Sequence, residues 1–132
     1  MHNMFFQCCK ITSLDLSSFN TSRVTRMDGM FYNCTSITSL NLSNFNTSSV
    51  QQMHDMFYNC ILLTSLNLSN FNMENIKSIN YMFYNCLNLE YINLKNSNPG
   101  SINEKKKYFF QYITKSFSMY RIRNYFFIII RM

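Results

Sequence analysis

The chain has 132 residues, room for one domain, with 47% hydrophobic and 17% aromatic residues and a formal net charge of +6. Residues 1–98 balance Lys10, Arg23, Arg26, Lys77 and Lys95 against Asp15, Asp28, Asp55, Glu74 and Glu90, whereas residues 99–132 set seven basic residues against Glu104 alone. The body of the chain therefore gives no support to nucleic-acid binding by a basic surface, and its only glycines, Gly29 and Gly100, rule out a glycine-rich phosphate loop.

The chain opens inside a repeat. Met4-Phe5, Met30-Phe31, Met56-Phe57 and Met82-Phe83 recur at a step of 26 residues with no insertion, the signature of a repeat architecture. Met1 to Cys9 carry neither a charged n-region nor a long apolar stretch. Met1 falls on the column of Met27 and Met53 with no capping repeat before it, so the sequence is expected to be a piece of a longer protein.

Each repeat has two halves. The first runs through Cys34, Ile37, Leu40, Leu42 and Phe45, and its Leu-x-Leu centre alternates as a short strand does. The other copies place Cys8, Ile11, Leu14, Leu16 and Phe19, then Cys60, Leu63, Leu66, Leu68 and Phe71, then Cys86, Leu89, Ile92 and Leu94 in the same columns. In the second half, Val50, Met53, Met56, Phe57 and Cys60 are spaced by three, three, one and three, which predicts one stripe of a short helix. Thr21-Ser22 and Thr47-Ser48 stand where helix N-caps would sit. Strand, turn and helix at this period predict an α/β leucine-rich-repeat solenoid, with short parallel strands on the concave face and short helices on the convex face. One repeat cannot bury enough surface to stand alone, so stacking has to supply the stability.

The repeats are expected over residues 1–98, about three and a half copies. Ser97 breaks the phenylalanine column and Asn98-Pro99-Gly100 reads as a turn or breaker. Residues 99–132 form a basic aromatic tail: a C-terminal cap, a disordered segment or read-through of AT-rich sequence. Its longest apolar run, Tyr125 to Ile130, falls far short of the roughly 20 residues of a membrane-spanning helix.

Cys8, Cys34, Cys60 and Cys86 draw attention as a possible site. Their spacing of 26 is not that of metal ligands, and it predicts a structural ladder of buried thiols, with Cys9 as the odd thiol. His2, Asp28, His54 and Asn80 share one column, expected to be solvated and without a fixed role. Nothing supplies a nucleophile, base, metal or cofactor set, so an enzyme is not expected. Alternation points a different group outward: Ser13, Asp15 and Ser17; Ser39, Asn41 and Ser43; Ser65, Asn67 and Ser69; Tyr91, Asn93 and Lys95. This concave face is the candidate ligand-binding surface, carried by Ser39, Asn41, Ser43, Ser65, Asn67, Ser69, Tyr91 and Asn93. Its uniform rows read equally as solvated positions left by recent repeat duplication. Asn20, Asn33, Asn41, Asn46 and Asn67 each open an Asn-x-Ser/Thr triplet, which chance explains in so Asn-rich a chain.

The run from Ile37 to Cys60 resembles the BspA-like leucine-rich repeats, in the variant reading roughly L-x-x-L-x-L-S-x-F-x-T-x-x-V-x-x-M-x-x-M-F-x-x-C. The likeness covers residues 1 to about 98. It implies a surface-exposed or secreted protein, in some cases one that adheres to host or neighbouring cells, and it brings no catalytic residues. The expected partner is a protein or cell-surface ligand. The alternative is a cytoplasmic protein–protein interaction scaffold, and a weaker one is attachment of the 99–132 tail to an anionic membrane or, less expected, to nucleic acid.

Overall fold

The structure, a computed structural model, describes residues 1–94 in full and the backbone of residues 117–122 and 125–130. Lys95, Ser97, the Asn98–Gly100 breaker and the interpretation of the tail as a whole lie outside the described residues.

Hydrogen bonds leave each Met-Phe segment for the equivalent segment of the next repeat. The amides of Asn3, Phe5 and Gln7 donate to the carbonyls of Asp28, Met30 and Tyr32. Those of Met27, Gly29, Phe31 and Asn33 donate to Gln52, His54, Met56 and Tyr58, and those of Met53, Asp55, Phe57 and Asn59 to Ser78, Asn80, Met82 and Tyr84. All are 2.7–3.1 Å long. Alternate residues donate, as in a parallel ladder, and isolated parallel bridges join Arg26 to Gln52 and Gln52 to Ser78.

That ladder explains a departure from the expected helices. Among the described residues there is no α-helix; the Val50–Cys60 half of the repeat holds an isolated bridge at Gln52 and turns over residues 54–59. Gly29, Asp55 and Tyr81 have φ of 61, 58 and 56°, and Asn33, Asn59 and Asn85 have φ of 61, 59 and 57°. A left-handed residue interrupts a right-handed helix, and Asn and Gly bear that conformation at least cost. The amides that would bond four residues back bond across to the neighbouring repeat instead. Short turns such as Tyr58 N–H to Asp55 O and Cys60 N–H to Phe57 O close each corner. Val50, Met53, Met56, Phe57 and Cys60 are all buried, because successive tight turns return side chains inward at the same spacings as a helix.

The strand half is organised around β1 (Ser65–Asn67) and β2 (Tyr91–Leu94), which are parallel with Ser65 opposite Tyr91 and Leu66 opposite Ile92. The register is one repeat. The equivalent segments of the first two repeats are not paired as strands, yet Leu16 and Leu42 are buried while Asp15 and Asn41 are exposed. Beyond β2 lie β3 (Phe117–Ile122) and β4 (Tyr125–Ile130), antiparallel to each other. β4 pairs antiparallel with β2, giving the sheet order β1-β2-β4-β3.

The core is built of the repeat columns themselves. Phe5, Phe31, Phe57 and Phe83 stack with ring centroids 5.5–5.6 Å apart and planes within 7°, an offset-stacking distance favourable for aromatic pairs. Leucine, methionine and isoleucine columns pack beside them. In the first repeat the same columns are only partly covered: Phe5, Cys8, Ile11, Leu14 and Phe19 pack against the core without being buried.

Candidate functional site: the Ser/Asn face and what surrounds it

The expected outward residues are mostly solvent-facing. Ser39, Asn41, Ser43, Ser65, Asn67 and Tyr91 are exposed, and Ser69 and Asn93 are half-buried. Asparagine recurs here for a structural reason. The Ser43 amide donates to Asn41 Oδ1 at 3.1 Å and the Ser69 amide to Asn67 Oδ1 at 3.1 Å. The Ser17 amide donates to Asp15 Oδ1 at 2.9 Å. Each is a side-chain turn onto the residue two positions on, a conformation that Asn and Asp favour. Because an N–H has to meet an oxygen, these bonds fix which way each carboxamide points. Each oxygen accepts one such bond, and the NH2 groups of Asn41 and Asn67 donate to nothing among the described residues. This face therefore offers donors at Asn41 and Asn67 and an anion at Asp15.

The next column fixes the face in place. Asn44 Nδ2 donates to the carbonyls of Leu16, Ser17 and Phe19 at 2.9, 3.3 and 3.1 Å. Asn70 Nδ2 repeats the pattern on Leu42, Ser43 and Phe45 at 3.0, 3.3 and 2.8 Å. Between the first two repeats lies a cleft of about 460 Å³, lined by Ser13, Asp15, Ser17, Asn41 and Ser43 among others. Small-molecule and side-chain sites commonly have this order of volume.

The cysteine ladder has a structural part to play. Cys34, Cys60 and Cys86 are buried free thiols whose Sγ atoms donate to the carbonyls of Phe5, Phe31 and Phe57 at 3.1, 3.2 and 3.0 Å. Burial pushes the Cys34 thiol up to about 11 and Cys86 up to about 12, and it pushes Cys60 upward too. These are poor nucleophiles at neutral pH. Cys8 is half-buried and Cys9 exposed. Among the described residues no group of His, Cys, Asp and Glu is arranged to hold a metal ion.

In the column of His2, Asp28, His54 and Asn80, Asp28 departs from the solvated row expected, whereas His2 and Asn80 are exposed and His54 is half-buried. Asp28 is buried, its side chain 1% exposed, and the Arg26 guanidinium grips it through Nε and Nη2 at 2.9 and 2.8 Å. His2 contacts the same carboxylate from the first repeat, and His54 Nε2 lies 3.6 Å away from the third. Burial acts to raise the Asp28 pKa, but the hydrogen bonds from Arg26 and the charges of His2 and Arg26 outweigh it, and the carboxyl is held below its ordinary value. Three repeats thus meet at one carboxylate. The sequence hides this because its partners come from different copies.

Two further ladders were not legible as such. Thr21 Oγ donates to Asn46 O at 3.0 Å and accepts from Asn46 N–H at 2.7 Å, and Thr47 does the same to Asn72. The expected N-cap threonines therefore join repeats. Asn33, Asn59 and Asn85 form a side-chain amide ladder, Nδ2 to Oδ1, between successive copies. Beside it Phe6, Tyr32, Tyr58 and Tyr84 stack at 4.6–4.8 Å. The signal available in the sequence was the near-uniformity of these columns: Thr21 and Thr47 before Met73, Gln7 before Asn33, Asn59 and Asn85, and Phe6 before three tyrosines.

No helix of the described residues is long and apolar enough to cross a membrane. Comparison with curated proteins and with solved structures gives no match. Residues 1–122 match the family described as Mycoplasma protein of unknown function, DUF285. That span takes in every repeat and the first of the two C-terminal strands, and the chain belongs to the DUF285 family.

Proposed function

We propose that the chain is a leucine-rich-repeat solenoid of the BspA-like kind and serves as a non-catalytic recognition or adhesion module at a cell surface, binding a protein or cell-surface ligand through its Ser/Asn face. The observation that carries this reading is the division of hydrogen-bonding capacity. Asn33, Asn44, Asn59 and Asn70 use their amide groups to join repeats, whereas Asn41 and Asn67 keep their NH2 groups for something outside. A row of donors repeated once per copy suits an extended partner held weakly at each repeat, so that affinity grows with the number of copies engaged. The test is the double substitution Asn41→Lys/Asn67→Lys, assayed for attachment of the chain to host or neighbouring cells. Attachment should be lost while the thermal unfolding transition persists. Retained attachment with a retained fold overturns the reading.

A second reading, an intracellular protein–protein scaffold, draws on the thiols. Cys34, Cys60 and Cys86 act as hydrogen-bond donors in reduced form, the natural state in a reducing compartment. Digestion of intact source cells with external protease separates the two: loss of the chain supports the surface module, and protection until lysis supports the scaffold.

A further inference from the structure

We propose that the cleft between the first two repeats binds a protonated amine, the lysine side chain of a partner protein, through Asp15. The inference rests on the proposed reading of the Ser/Asn face and names the chemistry taken at one end of it. The column reads Asp15, Asn41, Asn67 and Asn93, three carboxamides and one carboxylate. Asp15, Asn41 and Asn67 close the same turn, each accepting from the serine amide two residues on through Oδ1. The fold therefore uses one oxygen and asks for no charge. Asp15 nevertheless carries one, makes no ion pair among the described residues, and lines a cleft of about 460 Å³. Hydrogen bonds from Ser17, the side chain first and the amide second, hold its carboxyl below the usual range, so it is ionised at neutral pH.

The geometry also selects the kind of cation. The Ser17 amide occupies one lone pair of Oδ1 and the Ser17 hydroxyl also donates to the carboxylate, so part of its accepting capacity is already used. An arginine guanidinium gains most from a carboxylate with both oxygens open, and that advantage is reduced here. An ammonium is a compact charge with three donors. Its three donors suit a cleft that offers the Asp15 carboxylate together with the hydroxyl oxygens of Ser13 and Ser17, which line it. The NH2 of Asn41, also in the lining, would take an acceptor such as a backbone carbonyl next to the lysine. The pair is solvent-exposed, so the contact is weak by itself and gives selectivity within a longer interface.

The test is a heteronuclear NMR titration of the full chain with Nα-acetyl-lysine methylamide, its norleucine analogue and its arginine analogue, following the Ser17 and Ser43 amide signals. The lysine probe should shift the Ser17 signal saturably and bind about threefold to fivefold more tightly than norleucine, an advantage removed by high salt. Asp15→Asn should abolish the preference while the turn persists, since it installs the residue that repeats two and three already use there. Equal binding of norleucine, or an unchanged preference in Asp15→Asn, overturns the proposal. Arginine binding as tightly as lysine overturns the assignment to lysine. Cell attachment in parallel distinguishes the two levels: if Asn41→Lys/Asn67→Lys abolishes attachment and Asp15→Asn does not, the amine site falls and the recognition face stands. If neither alters it, both fall.

Discussion

The two halves of each repeat use the same residue for opposite ends. In the turn half, Asn33, Asn59 and Asn85 sit in the left-handed conformation and pass hydrogen bonds from copy to copy. In the strand half, Asn41 and Asn67 bond only their own chain two residues on. The first arrangement commits the side chain to stability; the second shapes a turn and leaves a donor over. The turn half also holds the phenylalanine stack, the thiol bonds and the backbone ladder. The comparison teaches that the outward Asn41 and Asn67 stand apart from the side chains that join the copies, which lie mainly in the turn half and, in the strand half, at Asn44 and Asn70, so the outward positions can vary with little loss to the stack.

The sharpest way to break that comparison is to open the turn half. Phe57→Ala removes a fully buried ring and two stacking contacts, and should cost about 3–5 kcal/mol by denaturant unfolding. Phe5→Ala, at the partly covered first repeat, should cost clearly less. A loss for Phe57→Ala no larger than for Phe5→Ala would mean that the stack is not the seat of stability.

Asp28→Asn comes next. It removes the charge that Arg26 grips from a buried site, with an expected cost of about 1–2 kcal/mol at neutral pH, kept low by the exposure of Arg26. The pH dependence has a definite sign. The folded-state pKa of Asp28 lies below its unfolded value, so its contribution is complete above the unfolded value near ~3.9 and is lost as pH falls through the lower folded value. Acid titration of unfolding should show wild type and Asp28→Asn converging below about pH 4. Parallel curves would remove the claim.

Thr47→Val tests the joint between the second and third copies. The hydroxyl both accepts from and donates to Asn72, and its loss leaves two backbone groups unpaired, an expected ~1–2 kcal/mol. The smallest effect belongs to the exposed face: Ser39→Ala and Ser65→Ala should each stay within about 0.5 kcal/mol of wild type by thermal unfolding. A larger loss would show that the face is structural after all.

Much of this was legible in the sequence, for reasons that particular residues make plain. The period and the buried columns could be read because Met, Phe, Cys and Leu recur without insertion, and the core needs apolar volume at the same place in every copy. The turn half was not legible as turns. Val50, Met53, Met56, Phe57 and Cys60 have spacings that a helix and a series of turns share, and the deciding factor is the left-handed backbone at Gly29, Asp55, Asn33 and Asn59. Tyr81 adopts the same conformation with no favourable propensity, which no composition rule would suggest. The Asp28 junction stayed hidden because His2, Arg26 and His54 converge on it from three copies. On the candidate face, the alternation that put Asn41 and Asn67 outward was readable. Their Oδ1 bonds, which decide what the face can offer a ligand, were not.

The most direct test of the division between the halves is the unfolding free energy of two matched double variants, Asn33→Ala/Asn59→Ala and Asn41→Ala/Asn67→Ala. Both delete two carboxamides. The first pair should lose about 4 kcal/mol, from two left-handed residues and the amide ladder together. The second should lose about 1–2 kcal/mol, from two local turns. Equal losses, or a larger loss for Asn41→Ala/Asn67→Ala, would contradict the account.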